Sequence, residues 1–121
     1  MIDYQVKFNK LKMSYNVRLR NPGFDDIKNG RKTIEGRLNR GIFSKMKIDD
    51  EIIFVNNSDT FTVKITDIKY YESFLEMLSK EDLKKIRPNA SKIADSLDLY
   101  NKYYSSNDIL KYGVIAFFIS F

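Results

Sequence analysis

The run Gly113-Val114-Ile115-Ala116-Phe117-Phe118-Ile119-Ser120-Phe121 constrains the fold of this chain more than any other, because it is almost wholly apolar at odd and even positions alike. Side chains of a strand alternate between the two faces of a sheet, so a β-prone run apolar at both parities has to be covered on both sides. Such a strand belongs at the centre of a sheet, as in a closed barrel, with further layers packed on it. The 121 residues are enough for one core of this kind and leave little room for a second.

The other elements read around that strand. Met13, Tyr15, Val17 and Leu19 alternate with Lys12, Ser14, Asn16, Arg18 and Arg20, the pattern of a half-buried strand whose polar face carries both arginines. Residues 1–11 alternate weakly at Tyr4, Val6 and Phe8 and form either an added edge strand or a loose arm, an N-terminal extension to a domain at 12–121. Asn21 to Asn29 is a short helix, with Asn21 as N-cap, Pro22 in the first turn, Asp25 and Asp26 near the positive end of its dipole and Gly30 ending it. Asn39 to Lys45 is a loop or turn. Glu51 to Val55 is an apolar strand, and the turn formers Asn56-Asn57-Ser58-Asp59 predict a hairpin. In its return strand the apolar phase of Phe61, Val63 and Ile65 shifts to Ile68 and Tyr70, which predicts a bulge near Thr66-Asp67. Ser73-Phe74-Leu75-Glu76 is a capping box, Ser79-Lys80-Glu81-Asp82 a second helix start, and Arg87-Pro88 a break. From Ser91 to about Tyr104, Ile93, Leu97, Tyr100 and Tyr104 recur at spacings of four, three and four, an amphipathic helix facing a core. The expected architecture is α+β, a small mixed β-barrel with flanking helices.

Residue types absent from the sequence narrow the chemistry. Without cysteine there are no disulfides, thiol nucleophiles or thiolate zinc sites, and without histidine any catalysis runs on Lys, Glu, Asp, Tyr, Ser or Thr. No carboxylate cluster has the spacing of a metal site, so neither metal nor cofactor is expected. No apolar run reaches the roughly 20 residues that span a bilayer, and the start lacks a signal-peptide pattern, so a soluble, cytoplasmic protein is expected. Charge is uneven: residues 1–47 carry twelve Lys or Arg against four Asp or Glu, whereas residues 48–121 carry nine against twelve. Five of the six arginines, Arg18, Arg20, Arg31, Arg37 and Arg40, lie in the basic part. Arginine suits bidentate contact with phosphate, which points to a polyanion such as RNA, against the alternative of an ordinary solvated basic surface.

That basic part contains Gly30-Arg31-Lys32-Thr33-Ile34-Glu35-Gly36-Arg37. If Thr33 to Leu38 is extended, Thr33, Glu35 and Arg37 share one face and Ile34, Gly36 and Leu38 the other, with Lys32 at the mouth of the strand. The order G-x-K-x-x-E-x-R resembles the signature of the ASCH (activating signal cointegrator homology) family, whose fold is like that of the PUA RNA-binding domain. The similarity continues in Phe24 to Gly30, Ile48 to Phe54, Tyr70 to Phe74 and Tyr112 to Ala116, and covers roughly residues 14–121. It implies a PUA-like barrel with the lysine at the edge of a cleft, in a family that includes RNA binders, a small amidohydrolase branch and proposed nucleases.

Several roles remain open for the motif residues. Lys32 either contacts phosphate or a base, acts as a general base if desolvated, or is a surface lysine. Glu35 accepts from a nucleobase, serves as acid or base, or pairs with Lys32 or Arg37, and Arg37 clamps phosphate, stacks on a base or completes that pair. Gly36 gives close approach to a ligand or another backbone. Arg18, Arg20, Thr33 and Arg40 join the candidate RNA-binding set, and Tyr103 is a candidate for base stacking, Tyr100 and Tyr104 being core by their helical spacing. The amidohydrolase branch, which acts on N4-acetylcytidine, reads Lys-Thr-Ile-Thr where this chain has Lys32-Thr33-Ile34-Glu35, so the hydroxyl is missing and Glu35 would have to activate water. A metal-independent ribonuclease would use Glu35 as base with Lys32 and Arg37 stabilising the phosphorane. The expected function is binding of RNA or a modified nucleoside, with these two reactions as alternatives and the oligomeric state open.

Overall fold

The computed structural model describes residues 11–121, so the expected N-terminal strand or arm around Tyr4, Val6 and Phe8 lies outside the described residues. In chain order the elements are β1 (Ser14–Arg18), α1 (Gly23–Lys28), β2 (Ile34–Leu38), a 3-10 turn (Gly41–Lys45), β3 (Glu51–Asn56), β4 (Asp59–Tyr71), α2 (Phe74–Lys80), α3 (Leu83–Ile86), α4 (Ile93–Tyr103), α5 (Ser106–Tyr112) and β5 (Val114–Ser120). The strands form one five-stranded sheet in the order β1-β3-β4-β5-β2, mixed because β1 runs parallel to β3 while every other pair is antiparallel. It curls into a half-barrel with β1 and β2 as its edges. This is the small mixed barrel wall expected from sequence, with α1 packed on the core inside the curl and α2 to α5 on the opposite face.

β5 occupies the interior position that its composition demands. Ile115, Phe117 and Ile119 face the core inside the curl, with Val17, Phe24, Ile52, Phe54, Val63 and Ile65. Val114 and Ala116 face a second core, where Ile34 and Leu38 of β2 meet Phe74, Met77 and Leu78 of α2 and Ile86 of α3. Both faces are therefore dry.

β3 and β4 form the expected hairpin around Asn57-Ser58, with Asn57 in the left-handed region at φ 56°, a conformation asparagine tolerates. Pairing of β4 with β5 shifts register between Ile65 and Asp67, the expected bulge. Its consequence is a change of parity: Val63 and Ile65 face the inner core, whereas Tyr71 reaches the helical one.

Capping sets the helices. The N-cap of α1 is Pro22 and not the expected Asn21, which lies one residue earlier and whose side chain accepts from the Asp25 amide at 2.9 Å, and Gly30 at φ 78° turns the chain away after α1. Ser73 Oγ accepts from the Glu76 amide at 3.1 Å, while Glu76 reaches back to the amide of Glu72 rather than Ser73. Ser79 does not start a helix. It ends α2, donating to the Leu75 carbonyl at 2.7 Å, and Asp82 caps α3 instead, because Asp82 has the extended backbone from which a side chain can reach a following amide. Ile93, Leu97, Tyr100 and Tyr104 pack on the helical core as expected, with Phe74 stacked on Tyr100 at 4.1 Å between ring centroids and on Tyr104 at 5.2 Å. α5 is an element the periodicity did not announce; its signal is Ser105, whose hydroxyl accepts from the Asp108 amide at 3.1 Å. No described helix is long and apolar enough to cross a membrane.

Candidate functional site

The motif strand β2 is anchored before it begins. After Gly30 the amides of Arg31 and Lys32 both donate to the Asp26 carbonyl, at 2.9 and 3.0 Å, and the Arg31 guanidinium pairs with the buried Asp26 carboxylate at 3.0 Å. Thr33 then donates its amide to Lys85 O at 2.9 Å and accepts from the Ile119 amide at 3.0 Å, tying the strand start to α3 and β5. Thr33 thus enters the site through its backbone.

Lys32, expected at the mouth of the strand and the edge of a cleft, is 6% exposed. Its Nζ donates to Ile34 O at 2.8 Å and Ile86 O at 2.7 Å and sits 3.1 Å from Glu35 Oε1. An ammonium has three N–H donors and no acceptor, so these three oxygens use all of them. Glu35, also 6% exposed, is bound at its other oxygen by Arg37 Nε at 2.8 Å. Lys32, Glu35 and Arg37 form one ionic chain, as their spacing in an extended strand leads one to expect. Burial alone would raise the Glu35 carboxyl, but the adjacent Lys32 and Arg37 charges outweigh it and hold it below the usual carboxylate range. For Arg37, burial works against the charge, and Glu35 with the nearby Tyr104 and Tyr100 hydroxyls more than offsets it, so the guanidinium stays cationic.

Arg37 is the outward member of this chain. Its side chain is 19% exposed, its guanidinium lies 5.0 Å from the Phe43 ring centroid, and Nη2 makes a long 3.4 Å contact with Arg18 O on the opposite sheet edge. Gly36 does give close approach, though to a side chain: a Cβ here would lie 2.7 Å from Met77 Sδ and 3.4 Å from the Tyr100 hydroxyl oxygen. Tyr100 is therefore both core, through its ring on Phe74, and neighbour to the ionic chain through its tip. Burial first, then the negative charge of Glu35, raises its hydroxyl above the ordinary tyrosine value, with Arg37 and Arg87 acting in the opposite sense. Tyr100 and Arg87 are the site neighbours that sequence reasoning missed; a tyrosine within an apolar helical stripe has a polar tip that must end somewhere, and that was the available signal.

The remaining candidates divide. Arg18 and Arg20 are exposed, have no hydrogen-bonded or ion-paired side-chain partner among the described residues, and line an open groove of about 380 Å³ with Leu19, Val55, Asn56 and Asn57. Arg40 lies apart from this groove, paired to Asp108 at 3.2 Å and 5.5 Å from the Tyr112 ring centroid. Tyr103 is 64% exposed and takes part in none of the ring stacks or cation–π contacts among the described residues. No three or more carboxylates among the described residues lie where they could hold a metal ion.

Comparison with known proteins agrees with this architecture. The family model of the ASCH domain matches residues 17–119. The crystal structure of the hypothetical protein PH0355 superposes with a TM-score of 0.83 at 34% identity, covering 89% of this chain and 98% of that one. The solution structure of protein PF0455 from Pyrococcus furiosus gives 0.75 at 32% identity, covering 89% and 96%. The crystal structure of the ZmASCH S128A mutant from Zymomonas mobilis gives 0.61 at 14% identity, covering 88% of this chain and 66% of that chain, a likeness of fold. No curated protein matches the sequence significantly.

Proposed function

This chain belongs to the ASCH domain family, and from that premise we propose that it binds RNA along the basic edge where β1 and β2 face each other across the open side of the sheet. The observation that carries the reading is the placement of three arginines along this edge: Arg37 reaches the backbone carbonyl of Arg18, and Arg18 and Arg20 line an open groove. Arginine at an open groove offers paired donors to phosphate oxygens, and Arg37 is held in place by Glu35 without losing its outward nitrogens.

Recognition rather than hydrolysis is favoured by the state of the other two motif residues. The Lys32 ammonium has its three hydrogens engaged and no lone pair with which to take a proton, and both Glu35 oxygens are engaged by cations that keep it ionised and weakly basic. In this reading Lys32 and Glu35 position Arg37.

The test is fluorescence anisotropy of a labelled mixed-sequence single-stranded RNA over a salt series. Three phosphate contacts at about 0.7 per contact predict a log–log slope near −2, hence roughly a 20-fold loss of affinity for a fourfold rise in salt. No binding at low salt refutes the reading. A flat response moves the ligand to an uncharged modified nucleoside. Incubation with the same RNA and with N4-acetylcytidine, read by mass spectrometry, completes the test, since a product that vanishes in Lys32→Ala overturns recognition in favour of a ribonuclease or an amidohydrolase.

A further inference from the structure

We propose that the groove between residues 18–20 and 55–57 is a nucleotide subsite separate from the Lys32–Glu35–Arg37 chain, in which Arg18 and Arg20 hold a phosphate and the Asn56 and Asn57 amides hydrogen-bond the attached nucleoside. It deepens the RNA-binding reading and rests on it only for the polymeric form of the ligand.

The two walls are fixed relative to each other by backbone. Arg18 is the last residue of β1, in parallel register with Val55 of β3, and beyond it the Leu19 amide donates to Val55 O at 3.0 Å. Both walls then leave the sheet together, one toward α1 and the other into the Asn57-Ser58 hairpin turn. The gap they enclose, about 380 Å³, falls within the roughly 300–1,000 Å³ range of small-ligand sites.

The lining has the polarity of an anion site with a reader beside it. Arg18 and Arg20 supply donors only and carry no carboxylate partner among the described residues; the neighbouring Asp59 is taken by Lys28 at 3.0 Å. Asn56 and Asn57 side chains make no hydrogen bond among the described residues, and each amide offers both a donor group and an acceptor, as the edge of a base or a ribose requires. Leu19 and Val55 supply an apolar floor. A bare polyanion surface would need only the arginines; free amides with an apolar floor between them match a ligand that is a phosphate at one end and a nucleoside at the other.

The same chemistry occurs in a free nucleotide and in one unit of an RNA strand, so the test has an arm for each. The full chain, labelled with 15N, is titrated with 5′-AMP, adenosine and a short uridine oligonucleotide while the Asn side-chain NH2 and Arg Nε–H resonances are followed. Shifts at Arg18, Arg20, Asn56 and Asn57 with 5′-AMP and the oligonucleotide, absent with adenosine, support the subsite. R18A/R20A should weaken oligonucleotide binding about tenfold for each arginine, the equivalent of one charge-assisted hydrogen bond. K80A/K102A, with the same change in net charge on exposed helical positions, should not. Both arginine side chains are exposed, and it is the Arg18 carbonyl that meets Arg37, so the variant keeps that contact. If the oligonucleotide binds without moving these four residues and R18A/R20A behaves like K80A/K102A, the subsite is refuted and Arg18 and Arg20 drop out of the RNA contacts, while RNA binding through Arg37 stands. If 5′-AMP binds in the groove and the oligonucleotide does not bind at all, the RNA reading falls and the groove stands as a site for free nucleotides. Equal shifts with adenosine and 5′-AMP refute the phosphate role.

Discussion

Lys32→Met keeps most of the side-chain volume and removes the ammonium, leaving the carbonyls of Ile34 and Ile86 and one oxygen of Glu35 without their donor. The Lys32 and Glu35 side chains are 7% and 8% exposed, so the relevant scale is that of breaking a buried pair, about 3–5 kcal/mol, and not the 0–1 kcal/mol of a surface one. Arg37 still holds the second Glu35 oxygen, which places the expected cost near the lower end, about 3 kcal/mol. That is a large part of the 5–15 kcal/mol available to a domain of this size. With a urea m-value of about 1–3 kcal/mol/M the unfolding midpoint should fall by about 1–3 M, read by far-ultraviolet circular dichroism because the chain has no tryptophan. Lys32→Met combined with Glu35→Gln should cost less than the sum of the two single changes, since the second removes the charge that the first strands. A cost below about 1 kcal/mol for Lys32→Met would mean that the ammonium is solvated, which would refute its structural role and return it to the ligand.

Three further outcomes follow from the same interior. The Glu35 carboxyl titrates lower in the folded than in the unfolded chain, so its contribution is complete above the unfolded value near 4.3 and is lost as pH falls through the lower folded value; urea midpoints measured down the acid range should show a slope that is reduced in Glu35→Gln. Gly36→Ala places a Cβ 2.7 Å from the sulfur of the fully buried Met77 and should cost about 1–3 kcal/mol, with part recovered in a Met77→Leu background, both read by urea denaturation. Asp50→Ala removes the acceptor of the Met13 and Lys47 amides, each bound at 2.9 Å, and should destabilise by about 1–3 kcal/mol in a thermal melt.

Signals carried by a few neighbouring residues proved readable. The bulge at Thr66-Asp67 showed as a slip in apolar phase, the Asn57-Ser58 hairpin as turn chemistry, and the α4 stripe as helical spacing, because in each the cause lies within a turn or two of its effect. Helix starts were read less well. Ser79 has the sequence of a cap and sits at the end of α2, while Ser105, which does cap a helix, went unmarked; a serine caps only where its backbone is extended, and that depends on whether the preceding helix has stopped. In the site, spacing brought Lys32, Glu35 and Arg37 together on paper. It did not foretell the direction in which Lys32 points.

What the sequence determined by itself was the local grammar and its demand for cover: a central strand apolar on both parities, a motif strand with charges on one face, and a fold in which these charges neighbour one another. What only the tertiary structure decided was which of those charges meet water. Lys32 is saturated because the Ile86 carbonyl, 54 residues away, arrives at its tip, and Arg18 and Arg20 face an open groove because β1 runs beside β3 and ends where the hairpin turns. Periodicity reports the direction a side chain leaves its own strand, whereas burial and free hydrogen-bonding capacity are sums over everything that packs around it from elsewhere in the chain.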